Sequence, residues 1–112
     1  MASIIVTYLR RERRKWGLTQ RELARLVGIK SRAQISMLEH GHATPTAEQL
    51  LAFQALFGMT TAQLFPQLAE DAQEIVLRHS QAMIEAAGTD ATLRALRKNT
   101  LLRQTLSRAV SS

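Results

Sequence analysis

Four short strings dominate the first two thirds of this 112-residue chain. They are Thr19-x-x-Glu22, Ser31-x-x-Gln34, Thr46-x-x-Gln49 and Thr60-x-x-Gln63. In each, a hydroxyl can accept from the backbone N–H three residues on, while the Glu or Gln side chain reaches back to the cap. Each string therefore predicts a helix start. Gly28 and Gly58 supply stops where a helix needs a left-handed residue. The spacing predicts helices over about 20–27, 32–38, 47–57 and 61–65. Before them, Ser3 is the expected cap of a first helix over about Ile4–Trp16, with Ile5, Leu9 and Trp16 inward and Gly17 as its end. After them, Pro66 opens a longer helix over about 67–87, and Thr89 is the expected cap of a last one over about 90–110. Strand-type alternation is nearly absent. The fold class expected is all-α: a compact five-helix unit over 1–65, then a helical extension over 66–112.

Cysteine is absent, so neither a disulfide framework nor a thiolate metal site can form. No apolar run approaches the roughly 20 residues that span a bilayer. Ser3–Val6 is too short for the core of a signal peptide. A soluble cytoplasmic protein without a membrane partner is expected. The net charge is +6, which fits an anionic partner or simply a basic surface. It is unevenly placed: residues 1–65 carry +5, 66–88 carry −3 and 89–112 carry +4.

The second and third predicted helices are short, with Gly28 between them. Leu23, Ala24 and Val27 give one an apolar face, and Ile35 and Leu38 give the other. Ala24 is small enough for two helices to cross closely there. That is the construction of a helix-turn-helix, whose second helix enters a major groove with its N-terminal side chains on base edges. The stretches RRKWGLTQRELARLVGI and ISMLEHGHATPTAEQLLAFQALFGMTTAQLF resemble the Cro/C1-type (Xre-like) family, from about Tyr8 to Phe65. The resemblance implies a lambda-repressor-like five-helix DNA-binding domain that usually works as a dimer. One departure stands out: the turn Gly28-Ile29-Lys30-Ser31-Arg32 is one residue longer than the common spacing. Counting back from Ile35 keeps Ser31 as the cap and points Arg32, Ala33, Gln34 and Met37 at base edges. Arg32 suits guanine O6 and N7. Gln34 suits adenine or is spent on its own cap. Ala33 and Met37 suit a thymine methyl, or Met37 is partly buried.

The resemblance also places phosphate at the start of the second helix, on Thr19 and Gln20, where free backbone N–H groups favour anions. Thr19 is equally a plain cap. Arg21, Lys30, Ser31, Ser36 and His42 are further phosphate candidates. Arg13 and Glu39 match positions that commonly form a buried or half-buried ion pair in the family, a structural role. The run from Arg10 to Lys15 is a solvated face or a backbone contact. His40 and His42 lack a third ligand nearby, so no metal and no cofactor is expected. His79 falls on the apolar side of its helix, where a core or interface histidine is expected. Adjacent helical Ser80 points away from it, and no catalytic constellation appears, so an enzyme is not expected.

In the extension, Leu77 and Ile84 lie opposite the stripe of Leu68, Ile75 and Met83, and Leu96, Leu102, Leu106 and Val110 form a stripe on the last helix. A two-helix hairpin buries one face of each. The remainder implies either docking onto the five-helix unit or a homodimer interface through Leu77, Ile84, Leu96, Leu102, Leu106 and Val110. Two functions follow. One is a dimeric repressor on double-stranded DNA. The other is an antitoxin or adaptor whose 66–112 segment binds a partner protein, with autoregulatory DNA binding. RNA is disfavoured, because the single Trp and Tyr fall in the first helix rather than on a stacking platform.

Overall fold

The caps govern where helices begin in the computed structural model, which describes residues 6–89 and 92–111. Helices α1 (Leu9–Lys15), α2 (Gln20–Val27), α3 (Arg32–Glu39), α4 (Ala47–Phe57), α5 (Thr61–Leu64), α6 (Pro66–Ala87) and α7 (Leu93–Ser111) follow in order, with no strand among the described residues. Thr19, Thr46 and Thr60 each close a reciprocal capping box. In the first, the Thr19 N–H and hydroxyl hold the Glu22 carboxyl below its ordinary pKa. Ser31 accepts from the Gln34 N–H at 3.2 Å, but the Gln34 side chain makes no return bond. Gly28 adopts φ 74°. A Cβ there would meet nothing within 4 Å, so glycine is required by the left-handed backbone and not by space.

Three expectations about the helix ends are corrected. First, α1 begins at Leu9. The Thr7 hydroxyl accepts from the Leu9 N–H at 3.1 Å, and the Tyr8 N–H donates to the Leu64 carbonyl at 2.8 Å. Bonding to the end of α5 thus replaces a preceding helical turn at Val6–Tyr8. Ser3 and Ile5 lie outside the described residues. Second, Trp16 is not inward: it is 62% exposed. It follows the last residue of α1, donates from Nε1 to Glu12 at 3.1 Å, and has the Lys15 ammonium 5.4 Å from its ring centroid. Glu12, whose burial the sequence did not suggest, lies beneath. Third, α7 is capped by Thr92, whose hydroxyl accepts from the Ala95 N–H at 3.2 Å, rather than by Thr89.

The chain divides into two compact units, 1–70 and 71–112. In the first, Leu9, Leu23, Ile35, Phe53, Leu64 and Phe65 are essentially inaccessible, with Ala24, Ile29 and Leu38 around them. Each large side chain contributes roughly 1.5–3 kcal/mol on burial. The Phe53 and Phe65 rings lie 6.0 Å apart at 42°. Helix α2 packs on α3 and α4, and α1 packs on α3. Ala24 is buried in this core, 5% exposed.

In the second unit, the body of α6 runs antiparallel to α7. One groove sets Ala72–Leu77 against Thr105–Ala109, and another sets Met83–Ala87 against Ala95–Leu102. Small residues, Ser80 and Ala95, are the buried ones. Leu77, Ile84, Leu102 and Leu106 are half-buried, and Leu96 is exposed. The Val110 side chain lies outside the described residues. His79 is exposed, which overturns the core position among the two expected for it and leaves the interface one. It stands about 100° from Ser80 and about 120° from Gln73, which line the seam, because α6 turns about 100° per residue.

Candidate nucleic-acid interface

The turn orients α3 so that Ile35, Leu38 and Glu39 are buried against the core. The opposite side then faces solvent: Arg32, Ala33, Gln34 and Met37 are all exposed. Met37 is 49% accessible, so a thymine methyl can reach it. Because Gln34 makes no return bond to its cap, its amide faces outward with the rest of the row.

Behind this row lies a chain of polar contacts. Arg13 donates through Nε and Nη2 to the two oxygens of Glu39, the latter at 3.2 Å, and through Nη1 to the Leu18 carbonyl at 2.8 Å. The Glu39 side chain is fully buried and that of Arg13 is 12% exposed. Gln20 donates from Nε2 to Glu39 Oε1 at 3.0 Å and accepts at Oε1 from Arg32 Nη1 at 3.1 Å. Only one orientation of this amide works: flipped, it would set NH2 against a guanidinium and C=O against a carboxylate. The contacts therefore run from the buried pair through Gln20 to Arg32, the first residue of α3. Sequence reasoning assigned Gln20 to phosphate and missed this bridge. The spacing within one helix cannot reveal a contact with another.

The phosphate candidates fall in several places. Thr19 and Ser31 accept cap bonds, which leaves each hydroxyl hydrogen free to be donated. Arg21 and Lys30 are exposed and line a cleft with Arg25 and Arg32. Arg25 was not singled out by sequence, yet it completes a cluster of four cations beside the turn. Ser36 is half-buried. Its carbonyl lies 2.7 Å from His40 Nδ1, so that nitrogen must carry the proton. His42 is exposed in the loop after α3, its ring stacked on His40 at 6.3 Å. No group of three metal-ligating side chains assembles among the described residues. Along α1, Arg10, Arg11, Arg14 and Lys15 are exposed while Arg13 turns inward, and Arg11 sits over the Tyr8 ring at 4.6 Å.

Two short helices packed on each other, the first with a buried alanine, with an exposed row on the second and cations beside it, define a helix-turn-helix DNA-binding unit. Residues 9–64, half of the chain, match the model of the helix-turn-helix family, and the protein belongs to that family, of Cro/C1 type. It is a DNA-binding regulator in general character, and its nucleic acid is double-stranded. Comparison with curated proteins and with solved structures returned no match. No helix among the described residues is long and apolar enough to cross a membrane.

The four-cation cleft makes a separate prediction. Replacing Arg25 with Gln should weaken binding equally for all DNA sequences. It should also lower the slope of log affinity against log salt by about 1 per chain, as expected for one lost phosphate contact. A salt titration on two unrelated duplexes reads this. An unchanged slope would show that the cleft does not meet the backbone.

Proposed function

We propose that the protein is a dimeric cytoplasmic repressor that reads an inverted repeat, with α3 in the major groove of each half-site. The observation that carries this reading is the exposed row of Arg32, Ala33, Gln34 and Met37, with Arg32 held by Gln20. Arg32 donates to guanine, Gln34 pairs with adenine, and Ala33 and Met37 pack on thymine methyls. Thr19, Gln20, Arg21, Lys30, Ser31, Ser36 and His42 meet phosphates that set the register. Residues 66–112 hold the dimer together, and occlusion of a promoter then gives repression. Selection from random duplex DNA tests this. The expected product is an inverted repeat with half-sites about one turn, roughly 34 Å, apart. Steeply salt-dependent binding with nothing enriched would sink it.

A second reading rests on the apolar residues left exposed on α6 and α7. In it, residues 66–112 bind a different protein, as in an antitoxin or adaptor, and DNA binding is autoregulatory. Self-association of the purified chain favours the first reading. Stability only in the presence of another protein favours the second.

A further inference from the structure

Helix α1 carries more positive charge than its own contacts use. Arg13 is spent on Glu39, and the Lys15 ammonium lies 3.8 Å from Glu12. Arg10, Arg11 and Arg14 are exposed and pair with no acid among the described residues. With about 100° per residue, the three fall within about one third of the helix circumference, opposite the buried Leu9 and Glu12. Arg14 is four residues from Arg10 and three from Arg11, the spacings at which like charges work against a helix. As a set, the three arginines oppose the helix that holds them.

The same three line one concavity of about 460 Å³, with Thr7 and Glu39 as its other walls. Those walls are already committed. The Thr7 hydroxyl donates to the Leu64 carbonyl at 3.3 Å and accepts from the Leu9 N–H. The Glu39 carboxylate holds Arg13 and Gln20. The concavity therefore presents three uncompensated positive charges. Arg11 is steadied by the Tyr8 ring, whose centroid lies 4.6 Å from its Cζ, and the Tyr8 N–H is tied to Leu64. A guanidinium is a planar fork of N–H donors that matches the oxygens of a phosphate, and three forks in one place suit a ligand with more than one phosphate. Glu39 also joins the concavity to the DNA-reading surface: it holds Gln20 at 3.0 Å, at the start of α2. The concavity shares no residue with the cleft of Arg21, Arg25, Lys30 and Arg32.

We propose that Arg10, Arg11 and Arg14 form a second phosphate-binding site, separate from the base-reading row and from the cleft at the turn. Two sources offer that chemistry. One is the duplex backbone flanking the segment under α3, and the other is a compact polyphosphate ester. The first rests on duplex binding. Neither rests on the base-reading register or on dimerisation.

The test compares the full chain with the double variant Arg10→Gln, Arg14→Gln. The melting midpoint of the variant should hold or rise, because two like charges leave α1. On a duplex extended by about one turn at each end, the variant should lower the slope of log affinity against log salt by about 2 per chain, one for each lost phosphate contact. On the shortest duplex that the parent binds, the two slopes should agree. That pair of results assigns the flanking backbone. Calorimetric titration with inorganic tripolyphosphate, without DNA, reads the other source. Binding by the parent that falls at least ~10-fold in the variant, with both DNA slopes unchanged, assigns a compact polyphosphate. Unchanged slopes together with unchanged tripolyphosphate affinity would overturn the site and leave a solvated cationic face. A lowered midpoint would overturn it too, since the arginines would then serve the fold. The sequence enriched from random DNA should be the same for parent and variant, so failure of this site and failure of the base-reading row are distinguishable.

Discussion

Glu39→Ala should lower the thermal midpoint of the chain by on the order of 15 °C, the shift that about 3 kcal/mol produces in a domain of this size. The Glu39 side chain is fully buried and holds three donors, two from Arg13 and one from Gln20. Deleting the carboxylate leaves the Arg13 guanidinium charged, 12% exposed and without its counter-ion. A guanidinium does not escape by losing its proton. The cost is mainly that of the stranded charge, not the net worth of the pair, and a double variant separates the two. Arg13→Met with Glu39→Leu replaces both partners by apolar groups and should recover most of the lost stability. Melting followed by circular dichroism reads all three proteins. A midpoint unchanged by Glu39→Ala would show that the pair is dispensable. An equally unstable double variant would show that the contacts to Leu18 and Gln20 matter more than the charge.

Arg32→Ala should cost about tenfold to a hundredfold in discrimination at one base pair of the site, with the other positions retained. The position lost should be a guanine. Arg32 is the first residue of α3, and its guanidinium is already steadied by Gln20 Oε1. Ordering a long cationic side chain costs about 1.5–2 kcal/mol of rotamer freedom, and part of that is met before DNA arrives. Gln20→Ala should therefore blur the same position more mildly, in addition to any uniform loss from a missing phosphate contact. Selection repeated with each variant distinguishes the two effects. If the Arg32→Ala logo matches the parent, the base-reading row starts elsewhere on α3. The longer turn would then have shifted the register.

The two variants also bear on each other. Glu39 anchors Gln20, and Gln20 anchors Arg32, so Glu39→Ala should relax the Arg32 position even where the protein remains folded. Residues joined in one hydrogen-bonded network do not act additively. A stability lesion in the core of the first unit and a change in base preference at its surface share one physical route.

Much of the architecture was legible in the chain because it is local. A hydroxyl and a Glu or Gln three residues apart answer each other within one helical turn, so four starts could be read from spacing alone. The stop at Gly28 could be read because a left-handed residue excludes most side chains. The apolar face of α2 announced that Ala24 would be buried, and the alternation of buried and exposed positions on α3 picked out Arg32, Ala33, Gln34 and Met37. What the tertiary structure decided is what depends on residues far apart in sequence. Thr7 and Tyr8 bond to Leu64, which moves the start of α1. Trp16 follows the end of α1 and closes on Glu12 instead of the core. The antiparallel seam of the second unit lies to one side of His79 and leaves it in solvent. Gln20, read as a phosphate contact, also bridges Glu39 and Arg32, nineteen and twelve residues away. Local patterns state which turn a residue caps and which face it occupies. They do not state what another helix will bring against that face, because that is fixed only when the core closes and every buried donor must find an acceptor.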